Sequence, residues 1–96
     1  MESKPILLKL KAQKVLLKKK FGVEEIGVFG SIVNGNANAN SDIDIIVGLN
    51  SANYTNYYLL KRFLEKLLNA EVDLIRRGPH LSSQFIASIE TNIIYV

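Results

Sequence analysis

Asp42 and Asp44 stand two residues apart in the stretch Asp-Ile-Asp-Ile-Ile-Val, with isoleucine at positions 43 and 45. Residues two apart on an extended chain point to one side, about 6.6 to 6.8 Å from each other. The spacing therefore predicts a strand over 42–47 with both carboxylates on one face and Ile43 and Ile45 turned into the core. Adjacent carboxylates repel, by about 4 kcal/mol at 4 Å and an effective dielectric near 20, and a divalent cation or water relieves that repulsion. Upstream, Glu-Ile-Gly-Val-Phe at 25–29 runs into Gly30-Ser31 and reads as a strand ending in a tight turn. Such a turn offers free backbone N–H groups and a hydroxyl to phosphate oxygens. Carboxylates are the hard ligands that Mg²⁺ takes together with substrate phosphates. Jointly the two features describe a site for a metal-bound triphosphate. Each alone is common, since an Asp-x-Asp is more often a solvated strand edge. The loop 35–40, Gly-Asn-Ala-Asn-Ala-Asn, joins them by returning the chain from one strand end to the other.

Several elements must hold these residues in place. Ser3 and Pro5 open a helix that runs to Lys20 and stops at Phe21-Gly22. It carries two apolar stripes, Ile6, Leu10 and Leu17 on one side and Leu8, Ala12 and Val15 nearly opposite. One stripe serves the core; the other is covered by a neighbouring segment or by a partner, so an association through this helix is expected. A helical turn begins over 31–34. Over 55–69, Leu59, Leu60, Phe63, Leu64, Leu67 and Leu68 make one helical face, with Tyr57 at its edge and Tyr58 opposite. A short strand at 72–75, a turn at 76–79, a helix at 82–90 and a last strand at 93–96 complete the chain. The expectation is a single α+β domain over 1–96, a small mixed β-sheet with flanking helices in the order α-β-α-β-α-β-α-β.

Composition excludes several classes of protein. With 48% apolar and 22% charged residues in 96, the chain is neither disordered nor fibrous, and having no cysteine it builds neither a disulfide framework nor a thiolate metal site. No apolar run reaches the 18 or more residues of a membrane span, and no signal peptide is recognisable, so a cytoplasmic protein without membrane contact is expected. Charge is uneven: the first twenty residues hold seven lysines against Glu2 alone, and the remainder five basic against eight acidic residues. A basic segment of this kind meets RNA, an acidic partner or a triphosphate, or is simply a solvated helix face, the most ordinary reading. His80, the only histidine, falls in a surface turn and the metal-and-carboxylate chemistry does not require it. Arg76 and Arg77 read as a solvated turn, and Tyr54, Tyr57 and Tyr58 as packed or exposed residues rather than a base-stacking platform.

Gly30-Ser31, ten intervening residues and then Asp42-Ile43-Asp44 resemble the signature of the polymerase β-like nucleotidyltransferase superfamily. Four such fixed residues arise by chance at roughly one starting point in forty thousand. The leading helix, Phe29, Ser41 before Asp42, and Val72-Asp73-Leu74 also match. Over about residues 5–96 the chain is similar to the minimal nucleotidyltransferases (MNT) encoded beside HEPN-domain toxins. That resemblance implies the nucleotidyltransferase (polymerase β-like) fold, with ATP as substrate and Mg²⁺, two ions, as cofactor. It implies that Asp42, Asp44 and Asp73 are catalytic and hold the metal, that Asp73 helps activate the incoming hydroxyl, and that Gly30, Ser31 and Ser41 bind the nucleotide. It further implies AMP transfer to a side chain of a HEPN-type toxin, with this chain as its antitoxin. One departure stands out: family members commonly carry arginines after the Gly-Ser pair, whereas 32–40 contains no charge. Asparagine donates hydrogen bonds to phosphate without neutralising it. The competing expectations are a binding module, catalytically weak or inactive, that neutralises its partner by contact alone, and an RNA-binding accessory that uses the N-terminal lysines.

Overall fold

Strands β1 (Val23–Phe29), β2 (Ile43–Leu49), β3 (Val72–Arg76) and β4 (Ile94–Tyr95) form one sheet in the order β3-β2-β1-β4. The structure is a computed structural model that describes residues 2–38, 40–51 and 53–96; Ala39, in the predicted loop, lies outside them. β1 is antiparallel to both β2 and β4, whereas β2 and β3 run parallel. A parallel pair needs a crossover of a dozen or more residues, and α4 (Tyr54–Leu68) supplies it. The other helices are α1 (Ser3–Ala12), α2 (Lys14–Phe21), α3 (Ser31–Asn34) and α5 (Ser83–Glu90). The fold is thus α+β with a mixed sheet.

Its leading helix differs from the sequence expectation. Gln13, at φ −101° and ψ 8°, interrupts it, and the Gln13 N–H bonds back only three residues to the Leu10 carbonyl. The two pieces each set one i, i+4 pair on the core, Ile6 with Leu10 and Leu17 with Phe21. The second stripe stays outside, with Leu8 58% and Val15 67% exposed.

The sheet has two unlike faces. Ile26, Val28, Ile43, Ile45, Val47, Val72 and Leu74 join the buried residues of α1, α2 and α4 in one large cluster. α4 lays down Leu60, Leu64 and Leu68, spaced four apart, each contributing about 1.5 to 3 kcal/mol by burial. Its apolar stripe is narrower than the sequence suggests. Leu59 is 52% exposed, because Phe63, rather than Leu59, turns to α2, its ring 5.3 Å from that of Phe21. Asn53 caps the helix by accepting from the Asn56 N–H at 3.1 Å. On the opposite face, among the described residues, only Phe29, Ile46 and the α5 residue Ile89 are buried together.

Candidate active site

The thinly covered face carries the aspartates. Phe29 pairs with Asp44 across β1 and β2, and Asp44 with Asp73 across β2 and β3, so these three positions form a row across the sheet, with strands about 4.8 Å apart. Ile43 and Ile45, both fully buried on the other face, fix the direction of Asp44 between them. β2 begins at Ile43, one residue later than the sequence predicts, so Asp42 lies just outside the strand and is exposed. Its charge still reaches Asp44. Burial raises the Asp44 pKa above the ordinary carboxylate value, the charges of Asp73 and Asp42 raise it further, and a hydrogen bond with Asp73 adds in the same direction. Among the described residues none of the three carboxylates has an ion-pair partner.

Gly30 closes the row on the β1 side. Its backbone, at φ 78° and ψ −151°, lies where only glycine sits without strain, and a Cβ there would overlap Oδ2 of Asp44. The turn and the carboxylate are thus in direct apposition. Ser31 then starts α3, where the N–H groups of Val33 and Asn34 both donate to the Gly30 carbonyl. The N–H groups at the very start of such a turn have no acceptor within it, and they lie beside the half-buried Ser31. Ile32, 3% exposed, roots the turn in the large core. Ser41 helps to shape the loop before β2. Its Oγ accepts from the Asn38 N–H at 3.1 Å, while Asn38 Oδ1 accepts from the Asn40 N–H at 2.8 Å. Among the described residues the Ser41 O–H has no acceptor, so it can donate to a ligand.

Unpaired carboxylates that crowd one another are the donor set a hard dication relieves. Among the described residues no three His, Asp or Glu side chains are arranged to hold a metal ion by themselves. Mg²⁺ asks for less, taking one or two carboxylates and completing its shell with water and phosphate oxygens, so Asp42, Asp44 and Asp73 fit it.

The model of the nucleotidyltransferase domain family matches residues 10–96. This chain belongs to that family. The nucleotidyltransferase is 39% identical to the protein adenylyltransferase MntA of Thermococcus cleftensis over 88 residues, covering 91% of this chain and 88% of that one. It is also similar to a solved structure assigned as a minimal nucleotidyltransferase, with TM-score 0.80 and 25% identity over 98% of this chain and 95% of that one. A solved complex of a tri-AMPylated Shewanella oneidensis HEPN toxin with an MNT antitoxin shares the fold, at TM-score 0.61 and 23% identity over 93% of this chain and 68% of the matched one.

Other residues of the nucleotidyltransferase fall where sequence reading did not put them. Arg77 is no free turn residue: its Nε donates to Glu25 Oε1 at 2.7 Å, with Glu90 at 4.0 Å. Arg76 is the last residue of β3. It lines a cleft of about 410 Å³ with Tyr54, Tyr57, Leu74, His80 and Leu81. Strand alternation from Val72 would have placed Arg76 on the α4 face, but the Arg-Arg-Gly-Pro run reads first as a turn. No described helix is long and apolar enough to cross a membrane.

Proposed function

We propose that this nucleotidyltransferase transfers AMP from Mg²⁺-ATP to a side chain of a partner protein of HEPN type, and that the transfer silences a toxin in the cytoplasm, where its ATP is. The observation that carries the reading is the row Gly30, Asp44, Asp73, with Asp42 at its mouth, in which a phosphate-holding turn touches an unneutralised carboxylate cluster. The adenylyltransferase name of the Thermococcus relative and the AMPylated toxin in the Shewanella complex support the choice of AMP and of acceptor.

In this reading the Gly30-Ser31 turn and the Ser41 hydroxyl hold phosphate oxygens, and Asp42 and Asp44 hold two Mg²⁺ ions with Asp73 completing the set. Such ions, when bound, neutralise phosphate charge and stabilise both the attacking and the leaving oxygen. The acceptor oxygen bonds to the α-phosphorus, the bond from that phosphorus to the bridging oxygen breaks, and pyrophosphate leaves. Asp73, exposed at the sheet edge, takes or polarises the acceptor proton.

A second reading rests on the uncharged segment 32–40. Without a guanidinium for the triphosphate, the chain neutralises its partner by contact alone. Labelled ATP, Mg²⁺ and the HEPN-type protein, followed by mass analysis of both chains, separate the two. A mass increase of one or more AMP groups on the partner supports transfer, and tight association with no added mass supports contact.

A further inference from the structure

We propose that the cleft outside β3 seats the acceptor polypeptide, as an extended acidic segment that places an apolar or aromatic side chain in the cleft and a carboxylate on Arg76. This rests on the transfer reading and specifies how its acceptor is recognised.

Position comes first. Across the sheet lie the phosphate-holding turn at the end of β1, Asp44 on β2, Asp73 on β3, and then the cleft on the outer side of β3, which is an edge strand. In an in-line displacement the acceptor approaches from the side opposite the leaving pyrophosphate. With the triphosphate held at β1, that is the β3 side. Leu74, Ile75 and Arg76 line the cleft and follow Asp73 directly, so its wall lies within about 3 to 10 Å of that residue along the strand.

The backbone favours a polypeptide. The Ile43 N–H donates to the Glu71 carbonyl and the Arg77 N–H to the Val47 carbonyl. Residues 71, 73, 75 and 77 therefore turn their backbone groups to β2, and Leu74 and Arg76 turn theirs outward, because the direction alternates along a parallel ladder. The Tyr57 hydroxyl donates to one of these groups, the Leu74 carbonyl. Among the described residues nothing pairs with the Leu74 N–H or with either backbone group of Arg76, and those of half-buried Arg76 can receive an added strand, a recurring mode of peptide capture.

Charge gives the segment its character. Arg76 is half-buried, and among the described residues its side chain makes no hydrogen bond or ion pair, whereas its neighbour Arg77 has both. A partly desolvated guanidinium without an acid is matched by a carboxylate, which it grips with two parallel bonds. Gly78 makes room for this arrangement, since a Cβ there would press the His80 ring at 3.0 Å and lie 3.9 Å from Arg76 Nη2. A single cation among apolar walls is a poor match for RNA, which needs a run of positive charge along its backbone.

The test uses the complete chain and the HEPN-type protein, with the variants Arg76→Glu and, on the exposed cleft rim, His80→Glu. Circular dichroism checks folding, and the melting-temperature increase given by Mg²⁺-ATP checks the nucleotide site. We expect that increase to match wild type, the acceptor KM to rise at least tenfold in Arg76→Glu and severalfold in His80→Glu, and kcat at saturating acceptor to stay within about threefold. A KM within twofold of wild type in both variants overturns the cleft assignment and leaves AMP transfer standing. Wild-type protein that binds the partner but transfers no AMP overturns the transfer reading and the acceptor role with it. Competition by an oligouridylate that depends on Arg76, with partner binding indifferent to it, overturns the polypeptide in favour of RNA.

Discussion

The two faces of the sheet are built from the same strands on opposite principles. On one, aliphatic residues at every second position meet α1, α2 and α4, and among the described residues no polar or charged side chain is buried there. On the other, the same alternation ends in Asp44 and Asp73, each beside an isoleucine two residues on, Ile46 and Ile75, that packs toward α5. The first face supplies stability. The second holds like charges close together and depends on the first to keep them there. Substitutions on the two faces should therefore separate folding from activity.

The largest effect is expected at the aspartates. If Asp42, Asp44 and Asp73 act as a unit, replacing any one by Asn lowers single-turnover AMP transfer by several orders of magnitude, and a second replacement adds little. The folded state survives, because all three lie off the packed face. Full transfer by a folded Asp42→Asn/Asp44→Asn protein would remove these aspartates from the transfer step. On the packed face Leu64→Ala does the reverse. Leu64 is fully buried, so its truncation should cost about 2 to 5 kcal/mol, read as a lower denaturation midpoint, with transfer per folded molecule retained.

Ser31→Ala tests the boundary between the faces, since α3 is rooted by Ile32 in the large cluster while half-buried Ser31 follows Gly30 directly. Loss of one hydroxyl with the backbone donors kept should lower transfer by roughly ten- to a hundredfold, about 1 to 3 kcal/mol, with little change in melting temperature. A smaller change still is expected from Leu8→Ser with Val15→Ser. Both lie on the outer stripe of α1 and α2, so monomer stability should move by about 0.5 kcal/mol or less. Sedimentation should show weaker assembly with itself or the partner. Unaltered assembly would assign that stripe to solvent.

How far the sequence could be read follows the same division. Strong periodicity made α4 and β2 legible to within a residue or two, and the Gly30-Ser31 and Asp42-x-Asp44 spacing marked the turn and the carboxylates. The break at Gln13 was not legible, because Ile6, Leu10 and Leu17 fit one uninterrupted helix as well as two. Nor was the exposure of Leu59, since periodicity assigns a face but not how much of it a neighbour covers. Arg76 and Arg77 look alike in sequence, yet one ends a strand beside a cleft and the other is tied to Glu25. That difference depends on one partner 52 residues away in the chain and on others beyond β3.

A stability effect of similar modest size bears most directly on the cost of the charged face. Burial and the charges of Asp73 and Asp42 raise the Asp44 pKa in the folded protein, whereas the unfolded chain keeps the ordinary value. Between those two values the folded state binds the extra proton, so stability falls as pH rises through that window. The contribution is fully present below the unfolded pKa and absent above the folded one. Asp44→Asn removes this dependence. In metal-free buffer at pH 7 the variant should therefore be more stable than wild type, by under about 1 kcal/mol for a half-exposed group, or a few degrees in melting temperature. The advantage should shrink as pH falls through the acidic range where Asp44 takes up its proton. Mg²⁺-ATP should reverse the order at pH 7, because ligand binding stabilises the wild type by mass action and the variant binds it less well. Paired melting curves with and without Mg²⁺-ATP decide the matter: a variant less stable than wild type in metal-free buffer at pH 7 would mean that Asp44 is held by favourable contacts rather than strained by its neighbours.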